Sequence, residues 1–394
     1  MGRESVVAEL SGTSSASRVI ALAEDVSTRV AAPLAETVDR EAAWPGDSLC
    51  ALGQVGLLGL HVPRRLGGLG EGLSSLARVT EVLGHACSST AMCFGMHCVA
   101  TAVIAAKATP SQEEGYLRPI AAGHHVTSLA LSEPGSGAHF FLPRSTFRHE
   151  AGGFVVDGTK SFITSGAYAD SYVVSTVAPG AEHDPGTFTC LLVDKGAPGL
   201  DWDPPWTGVG MRGNNSCGAR LDGVRVPASN LLGAEGDQIW YVFEVVAPYF
   251  LVAMAGTYLG VAQAAFDLAV EHLRQHRYEH TSERLVENAA ITERVAEMWT
   301  VIERSRQLLR RAAQLGDEGS PEASKALFAA KVDVADTAVS VTNTAMTLLG
   351  GRGYRENGKL ARLMRDAQAA HVMSPTTHLL KAWLGRSVLG LPLL

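Results

Sequence analysis

The sequence predicts an α+β protein in which a strand-rich middle region is flanked by two helical regions. Apolar residues recur at helical spacing before residue 125 and after residue 236. Short β-branched runs, separated by glycine and proline clusters, fill the region between them. The chain has 394 residues, of which 46% are hydrophobic, so it has the apolar surface for large cores. We predict an N-terminal helical domain at 1–125, a middle antiparallel β domain at 126–235 and a C-terminal four-helix bundle at 236–394.

The region before residue 125 is rich in alanine and leucine. Leu73, Leu76, Val79 and Leu83 recur at intervals of three and four residues, which places them on one face of a helix. Glycine and proline clusters at 63–68 and 109–111 interrupt this pattern. The region is therefore predicted to form several amphipathic helices.

The middle region consists of short runs that are typical of strands. We predict strands at 126–131, 154–156, 171–177 and 188–193. The dipeptide Asp157-Gly158 is typical of a hairpin turn, and we predict a turn there. The runs do not alternate with helical segments, and no G-x-G-x-x-G motif follows a strand, so a Rossmann fold is disfavoured.

Helical periodicity returns after residue 236 and predicts long helices at 238–276, 285–315, 321–349 and 359–385. Ser320 and Pro321 fit the N-cap and first position of the third helix. Residues 245–262 carry no charge and approach the length of a membrane-spanning helix. They continue into polar residues at helical spacing, without a lysine or arginine flank, so we predict a buried core helix and no membrane span.

Composition excludes several classes of function. The net charge is −7, no basic run occurs and aromatic residues make up only 6%, so we expect no nucleic-acid partner. The six cysteines include no C-x-x-C spacing, and we predict no metal site. They are also too sparse for a disulfide scaffold. The N-terminal residues do not form a signal-peptide pattern, and we expect a cytoplasmic protein.

Several segments match the motifs of one known family. The main ones are residues 129–134 (LALSEP), 158–166 (GTKSFITSG), 224–227 (VRVP), 350–354 (GGRGY) and 365–367 (RDA). In this order and at these separations they resemble the acyl-CoA dehydrogenase superfamily of flavoproteins. The resemblance implies an acyl-CoA dehydrogenase-like fold and an enzyme that uses FAD.

The resemblance also assigns cofactor contacts. An isoalloxazine ring needs a flat apolar slot and nearby hydrogen-bonding groups that tune its redox potential. The residues at the matching positions are Leu131, Ser132, Phe162 and Thr164. Gly351 would accept the adenosine portion, often from a neighbouring subunit, and Thr376 would lie near the pyrophosphate. The segment that usually binds the pyrophosphate is altered and retains only Arg277, so FMN stays open beside FAD.

The catalytic part of the family pattern is missing. The family's usual base is a glutamate in a C-terminal E-G-T segment, and the matching position here is Ser374. Some relatives carry the glutamate on the first long helix of the C-terminal domain, where this chain has Phe250. Neither residue has a carboxyl group. In a carboxylate base, burial would raise the pKa toward the pH at which the enzyme works. The resemblance therefore implies a non-standard base or none.

Three residues are candidates for replacing the lost base. His371 lies three residues before Ser374, a spacing at which the two side chains share a helix face and would form a base–nucleophile pair. His97 lies in an apolar helix that approaches the substrate cavity in this fold, where a histidine would assist proton transfer. For both histidines, a structural role in a helix remains the plain alternative.

Three functions remain open at this stage. The first is an FAD-dependent oxidoreductase that acts on an acyl thioester, carried on CoA or an acyl carrier protein, with an electron-transfer partner. The second is a monooxygenase that receives reduced flavin from a flavin reductase and reacts with oxygen. The third is a non-redox enzyme or binding protein on the same fold. We expect a homodimer or homotetramer formed through the C-terminal helices.

Overall fold

The computed structural model describes residues 15–137, 139–181, 187–236, 239–280, 282 and 284–393. Helices lie on both sides of a strand-rich middle region, as the sequence predicts. The principal helices before the strands are α1 Ser15–Val26, α2 Ala32–Arg40, α3 Gly46–Gln54, α4 Leu73–Ala86 and α5 Ser88–Ala106. Helix α5 is buried around its whole circumference, which is typical of a core helix rather than a surface helix.

Within the residues that the structure describes, eight strands form two four-stranded sheets. The strands are β1 Thr127–Ala130, β2 Thr146–Glu150, β3 Gly153–Ile163, β4 Ser171–Thr176, β5 Thr189–Asp194, β6 Leu200–Trp202, β7 Cys217–Pro227 and β8 Leu231–Leu232. One sheet has the order β1-β4-β5-β8 and the other the order β2-β3-β7-β6. All pairs are antiparallel except β1 with β4, which are parallel. Apolar side chains from both sheets form a common core between them.

The predicted hairpin turn at Asp157-Gly158 is wrong. Both residues lie inside β3, where the register with β7 shifts between Val156 and Gly158. A Cβ atom on Gly158 would lie 2.2 Å from Ser145 Oγ, so a glycine allows this close approach. The chain turns instead between Glu150 and Gly153, which are paired residues of β2 and β3.

The principal C-terminal helices are α6 Ala247–Gln275, α7 Ala289–Asp317, α8 Ala323–Leu349, α9 Lys359–Val372 and α10 Thr377–Val388. A π-helical turn, Tyr241–Val246, leads into α6. The predicted helix at 359–385 is divided at Pro375, because proline disrupts a helix interior. Helix α8 begins two residues later than predicted, with Glu322 rather than Ser320 at its N-cap.

Two helical segments, Ser88–Ala106 and Tyr241–Gln275, are apolar and long enough to span a membrane, but most of their residues are buried inside the protein.

Small residues bring α4 and α6 into close contact. A Cβ atom on Gly84 would lie 2.3 Å from the Thr257 carbonyl oxygen, and one on Gly260 would lie 2.2 Å from that of Glu81. The uncharged segment at 245–262 thus packs inside the protein, which is the interpretation that the sequence favours.

Candidate functional site

Two chain segments with predicted flavin contacts lie side by side. The first follows β1 and contains Leu131 and Ser132; the second is the end of β3 and the turn after it, with Phe162 and Thr164. The Ser161 amide donates a 2.8 Å hydrogen bond to the Ser132 carbonyl oxygen. From β1, Ser128 Oγ donates a 2.7 Å bond to the Thr164 carbonyl oxygen. The structure therefore brings all four predicted residues into one region.

Phe162 presents an aromatic ring at this junction. Its side chain is 61% exposed, although large aromatic side chains usually gain free energy from burial. Its φ angle is +55°, a left-handed conformation that costs a non-glycine residue about 1–2 kcal/mol. Trp206, which is 46% exposed, packs edge-on against Phe162 with ring centroids 5.5 Å apart. An exposed aromatic ring in a strained conformation marks this junction as a candidate ligand-binding surface.

The neighbouring polar groups also fit a flavin. Ser161 Oγ is buried and has no hydrogen-bond partner in the part of the chain that the structure describes. Leu131 is buried and Ser132 is half-buried, so the segment offers both an apolar wall and a hydroxyl group. An aromatic face, an apolar wall and hydrogen-bonding groups match the needs of an isoalloxazine ring.

A buried ion pair fixes the two segments to each other. Lys160 Nζ lies 2.5 Å from Glu133 Oε1, and both side chains are almost completely buried. Lys160 also donates to the Ser175 carbonyl oxygen at 2.6 Å, and Ser175 Oγ donates to that of Leu131 at 3.3 Å. Glu133 further accepts bonds from the amides of Arg144 and Ser145 and from Ser145 Oγ.

The environment keeps Glu133 ionised. Burial raises the pKa of the Glu133 carboxyl, but the charge of Lys160 and the bonds from Lys160, Ser145 and Arg144 outweigh burial and leave the pKa below its usual range. Burial lowers the pKa of Lys160, and Glu133 offsets this only in part. The pair is therefore a hydrogen-bonded charge pair beside the predicted flavin contacts.

A second region, in the C-terminal domain, contains the predicted adenosine contacts. A pocket of about 510 Å³ is lined by Gly351 together with His272, His276, Tyr278, Arg294 and Arg352, among other residues. Gly350 and Gly351 leave backbone exposed at the wall, and two arginines supply positive charge. Arg277 lies between two lining residues but is itself exposed. Aromatic rings and guanidinium groups are suited to a purine nucleotide and its phosphates.

The contacts of His97 favour the structural alternative, and its role in proton transfer stays a prediction. Its side chain is completely buried on α5, where Nε2 lies 2.9 Å from the Leu58 carbonyl oxygen. Nδ1 accepts a 3.1 Å hydrogen bond from the Thr127 amide. Burial lowers the pKa of His97 to about 4, so the ring is neutral at pH 7. With both nitrogens bonded to backbone, His97 joins α5 to β1 as a structural residue.

The turn at 373–376, between α9 and α10, contains two predicted site residues. Thr376 Oγ1 accepts a 3.3 Å bond from the Leu379 amide and caps α10, while Ser374 lies at the centre of the turn. His371 Nδ1 lies 3.1 Å from Thr377 Oγ1, and its Nε2 lies 4.0 Å from Asp336. These contacts direct the ring toward α10 and α8, and the base–nucleophile pair with Ser374 stays a prediction.

Sequence reasoning missed three residues of this site: Glu133, Lys160 and Trp206. A charged residue inside an apolar strand pattern was the available signal for Lys160, since buried lysine requires a partner. Trp206 lies in a loop far from Phe162 along the chain, and no periodic pattern links the two. Within the described residues, no group of three or more histidine, cysteine, aspartate or glutamate side chains is arranged to hold a metal ion.

Domain families match nearly the whole chain. The acyl-CoA dehydrogenase N-terminal domain matches residues 13–124, the middle domain 128–224 and the C-terminal domain 249–389. The chain is 32% identical over 371 residues to cyclohex-1-ene-1-carbonyl-CoA dehydrogenase of Geobacter metallireducens, covering 93% of this chain and 96% of that protein. It is 30% identical to mitochondrial isovaleryl-CoA dehydrogenase of Oryza sativa subsp. japonica, covering 91% and 87%.

Solved structures agree with these matches. Butyryl-CoA dehydrogenase from Megasphaera elsdenii superposes with a TM-score of 0.90 at 25% identity and covers 96% of this chain and 98% of its own. The FAD complex of PigA, at 18% identity and a TM-score of 0.87, shows the fold alone; the alignment covers 95% of this chain and 98% of PigA. The matches confirm the predicted fold and favour an FAD-dependent oxidoreductase over the monooxygenase and non-redox alternatives. The chain belongs to the acyl-CoA dehydrogenase family.

Proposed function

We propose that this enzyme dehydrogenates an acyl-CoA thioester, with the isoalloxazine ring of FAD held against Phe162 and the turn after β1. One observation carries the proposal: an exposed, strained Phe162 is held beside Leu131 and Ser132 by the Ser161–Ser132 bond and the Glu133–Lys160 pair. The names of the relatives, which are dehydrogenases of CoA thioesters, support the substrate class.

The chain's own residues position the cofactor and shield it. When bound, FAD supplies a hydride acceptor. Leu131 and Phe162 would line the faces of the isoalloxazine ring and exclude water, and the hydroxyl groups of Ser132 and Thr164 would offer hydrogen bonds to its polar edge. Ser374 and Phe250 occupy the positions that the family resemblance assigns to the base, so the substrate proton leaves through a group other than a carboxylate at those positions.

We further propose a homodimer or homotetramer in the cytoplasm. The described residues that line the pocket around Gly351 lie in the C-terminal domain, whereas the predicted isoalloxazine contacts lie in the middle domain. A neighbouring subunit would supply its pocket to the adenosine portion of the bound FAD. The electrons would leave to an electron-transferring protein, which is the partner expected for a dehydrogenase of this kind.

The first test is the visible spectrum of the purified protein after FAD is added and the excess removed, followed by anaerobic titration with acyl-CoA thioesters. We expect a bound flavin that the correct thioester bleaches. A variant with both Phe162→Ala and Thr164→Ala should lose most of its flavin, whereas Trp299→Ala, at an exposed tryptophan on α7, should keep it. Equal flavin content in the two variants, or a bound flavin that no thioester bleaches, would contradict the proposal.

A further inference from the structure

The pocket of about 510 Å³ lies where the ends of α6 and α8 meet the start of α7. The charged and titratable side chains that line it are His272 and His276 of α6, Tyr278 of the segment after it, Arg294 of α7 and Arg352, which follows α8. Within the described residues, no aspartate or glutamate lines this pocket. Guanidinium and imidazole groups without a carboxylate among them are suited to a phosphate-bearing ligand.

The two histidines lie one helical turn apart at the end of α6. The ring centroids of His272 and His276 are 5.2 Å apart, with an angle of 31° between the ring planes. The ring of Tyr278 packs edge-on against His276, with centroids 5.9 Å apart. Both imidazoles are half-buried, so they border the pocket and remain open to it. The end of α6 therefore presents two imidazole groups to one ligand position.

Arg277, for which the sequence predicts a cofactor contact, lies between two lining residues. His276 and Tyr278 on either side of it line the pocket, whereas the Arg277 side chain is exposed. His276 has extended backbone angles, and Arg277 forms an isolated β-bridge with Arg284. In an extended segment, neighbouring side chains point to opposite sides. The local backbone thus directs a histidine, rather than the arginine beside it, toward the pocket.

Backbone is also accessible on the opposite wall. A Cβ atom on Gly350 or Gly351 would have no described atom within 4 Å, so the chain there borders open space. A ligand is able to lie against this backbone without meeting a side chain. The pocket is therefore open on its glycine side and positively charged on its histidine and arginine side.

The charge state of the histidines depends on what binds. Burial and the charges of His276 and Arg352 lower the pKa of His272. Glu271 of α6 accepts a 3.2 Å hydrogen bond from Gln275. A phosphate group beside the imidazoles would favour their charged form, as does the partial negative charge at the C-terminal end of a helix. Binding of an anion is then coupled to the uptake of a proton, and by linkage the affinity rises as the pH falls.

We propose that His272 and His276, together with Arg294 and Arg352, bind the diphosphate bridge of FAD and take up a proton when it binds. The inference rests on the proposed function, because that function supplies FAD as the ligand. The diphosphate bridge is a diester, so its own charge stays constant between pH 6 and 8. A change in affinity over this range therefore reports on the protein.

The test measures the Kd of FAD by equilibrium dialysis of the full-length holoenzyme at pH 6, 7 and 8, with bound and free flavin read from absorbance. In wild type we expect the Kd to rise by about tenfold from pH 6 to pH 8. His272→Gln combined with His276→Gln should hold the Kd within about twofold over the whole range, near the wild-type value at pH 8. His276→Arg should hold it near the wild-type value at pH 6, because a guanidinium group does not titrate in this range.

Two single variants serve as comparisons. Arg277→Gln removes a neighbouring charge that does not titrate, so the ratio of its Kd values at pH 8 and pH 6 should equal that of wild type. His124→Gln removes an exposed histidine before β1, outside the pocket, and should match wild type at every pH.

A wild-type Kd that does not change with pH overturns the inference, even if a thioester bleaches the flavin. So does a double variant that keeps the wild-type pH dependence, or an equal loss of it in His124→Gln. If the histidine-dependent change appears but no thioester bleaches the bound flavin, only the proposed function has failed. A protein that binds no FAD at these pH values contradicts both. If the double variant does not fold, His272→Gln and His276→Gln are judged singly, and each should weaken the pH dependence.

Discussion

His97 binds the backbone of two other segments through its two ring nitrogens. Protonation of the ring should therefore change the free energy of unfolding. The Thr127 amide points at Nδ1, so a proton on Nδ1 would replace a hydrogen bond with a clash of donors. The folded-state pKa of about 4 lies below the usual 6.5. A histidine with a lowered folded-state pKa contributes stability above pH 6.5, and the contribution is lost as the pH falls toward 4.

We therefore expect that, as the pH falls from 6.5 to 4, protonation of His97 lowers the free energy of unfolding by about 1.4 kcal/mol per pH unit. His97→Gln keeps a donor and an acceptor but does not titrate, so its pH dependence should be weaker by about this slope. Denaturant titrations at pH 7, 6 and 5 measure the difference. Burial also lowers the pKa of His61 to about 4. Because His61 is present in both proteins, its contribution cancels in the comparison. The control is His378→Gln, at an exposed histidine. If the free energy of unfolding changes with pH equally in His97→Gln and in His378→Gln, the pH dependence does not come from His97.

The flavin-facing surface is assembled at the scale of elements, where β3 meets the segment after β1. The Glu133–Lys160 pair joins these elements, and Ser175 connects the same lysine to β4. Removing one partner of a buried ion pair leaves an uncompensated charge and costs about 3–5 kcal/mol. Lys160→Met should therefore destabilise the fold by this amount and weaken FAD binding, measured by denaturant midpoint and by flavin content.

Two further variants distinguish the effect of losing the Glu133–Lys160 ion pair from general damage to the fold. Lys160→Met combined with Glu133→Gln removes both charges, and we expect it to recover part of the lost stability. Arg220→Met removes an exposed ion pair with Asp201 from β7 and should cost less than 1 kcal/mol, as is typical of surface pairs. Equal losses in Lys160→Met and Arg220→Met would mean that the buried pair does not hold the two segments.

At the scale of the whole molecule, Arg365 and Asp366 on α9 join all three domains. Arg365 pairs with Asp39 of α2 through two hydrogen bonds and donates to the Val209 carbonyl oxygen at 3.0 Å. Asp366 accepts a 2.6 Å bond from the Met211 amide and another from Ser88 Oγ on α5. These contacts hold the middle domain between the two helical domains.

Arg365→Ala should loosen this junction without altering any predicted flavin contact. Asp39 would be left without its cation in a mostly buried position, so we expect a loss of about 1–3 kcal/mol in the free energy of unfolding. Limited proteolysis should cut the domain junctions faster, and denaturant titration measures the loss. Arg225→Ala, which breaks an exposed pair with Glu150, serves as the control. Identical digestion of both variants would show that the junction does not depend on Arg365.

The sequence determined the order of elements and most of their positions. Periodicity is a local signal, so it located α4, the strands β1, β4 and β5 and the long helix at 238–276 to within a few residues. The strand predicted at 154–156 is only the first part of β3, which runs from Gly153 to Ile163. Motif order also identified the family, and with it the four residues that the structure brings together around Phe162. The turn at Asp157-Gly158 was predicted wrongly because a local turn preference was overridden by close packing against Ser145.

Only the tertiary structure showed the partners of His97 and Lys160. A polar residue in an apolar segment looks the same in sequence whether it faces a substrate or binds the backbone of another element. The distinction depends on partners that are distant along the chain, such as Leu58 and Thr127 for His97, and on the degree of burial. Burial and long-range hydrogen bonds arise only when the helices and strands pack together, and they set the charge state of these side chains.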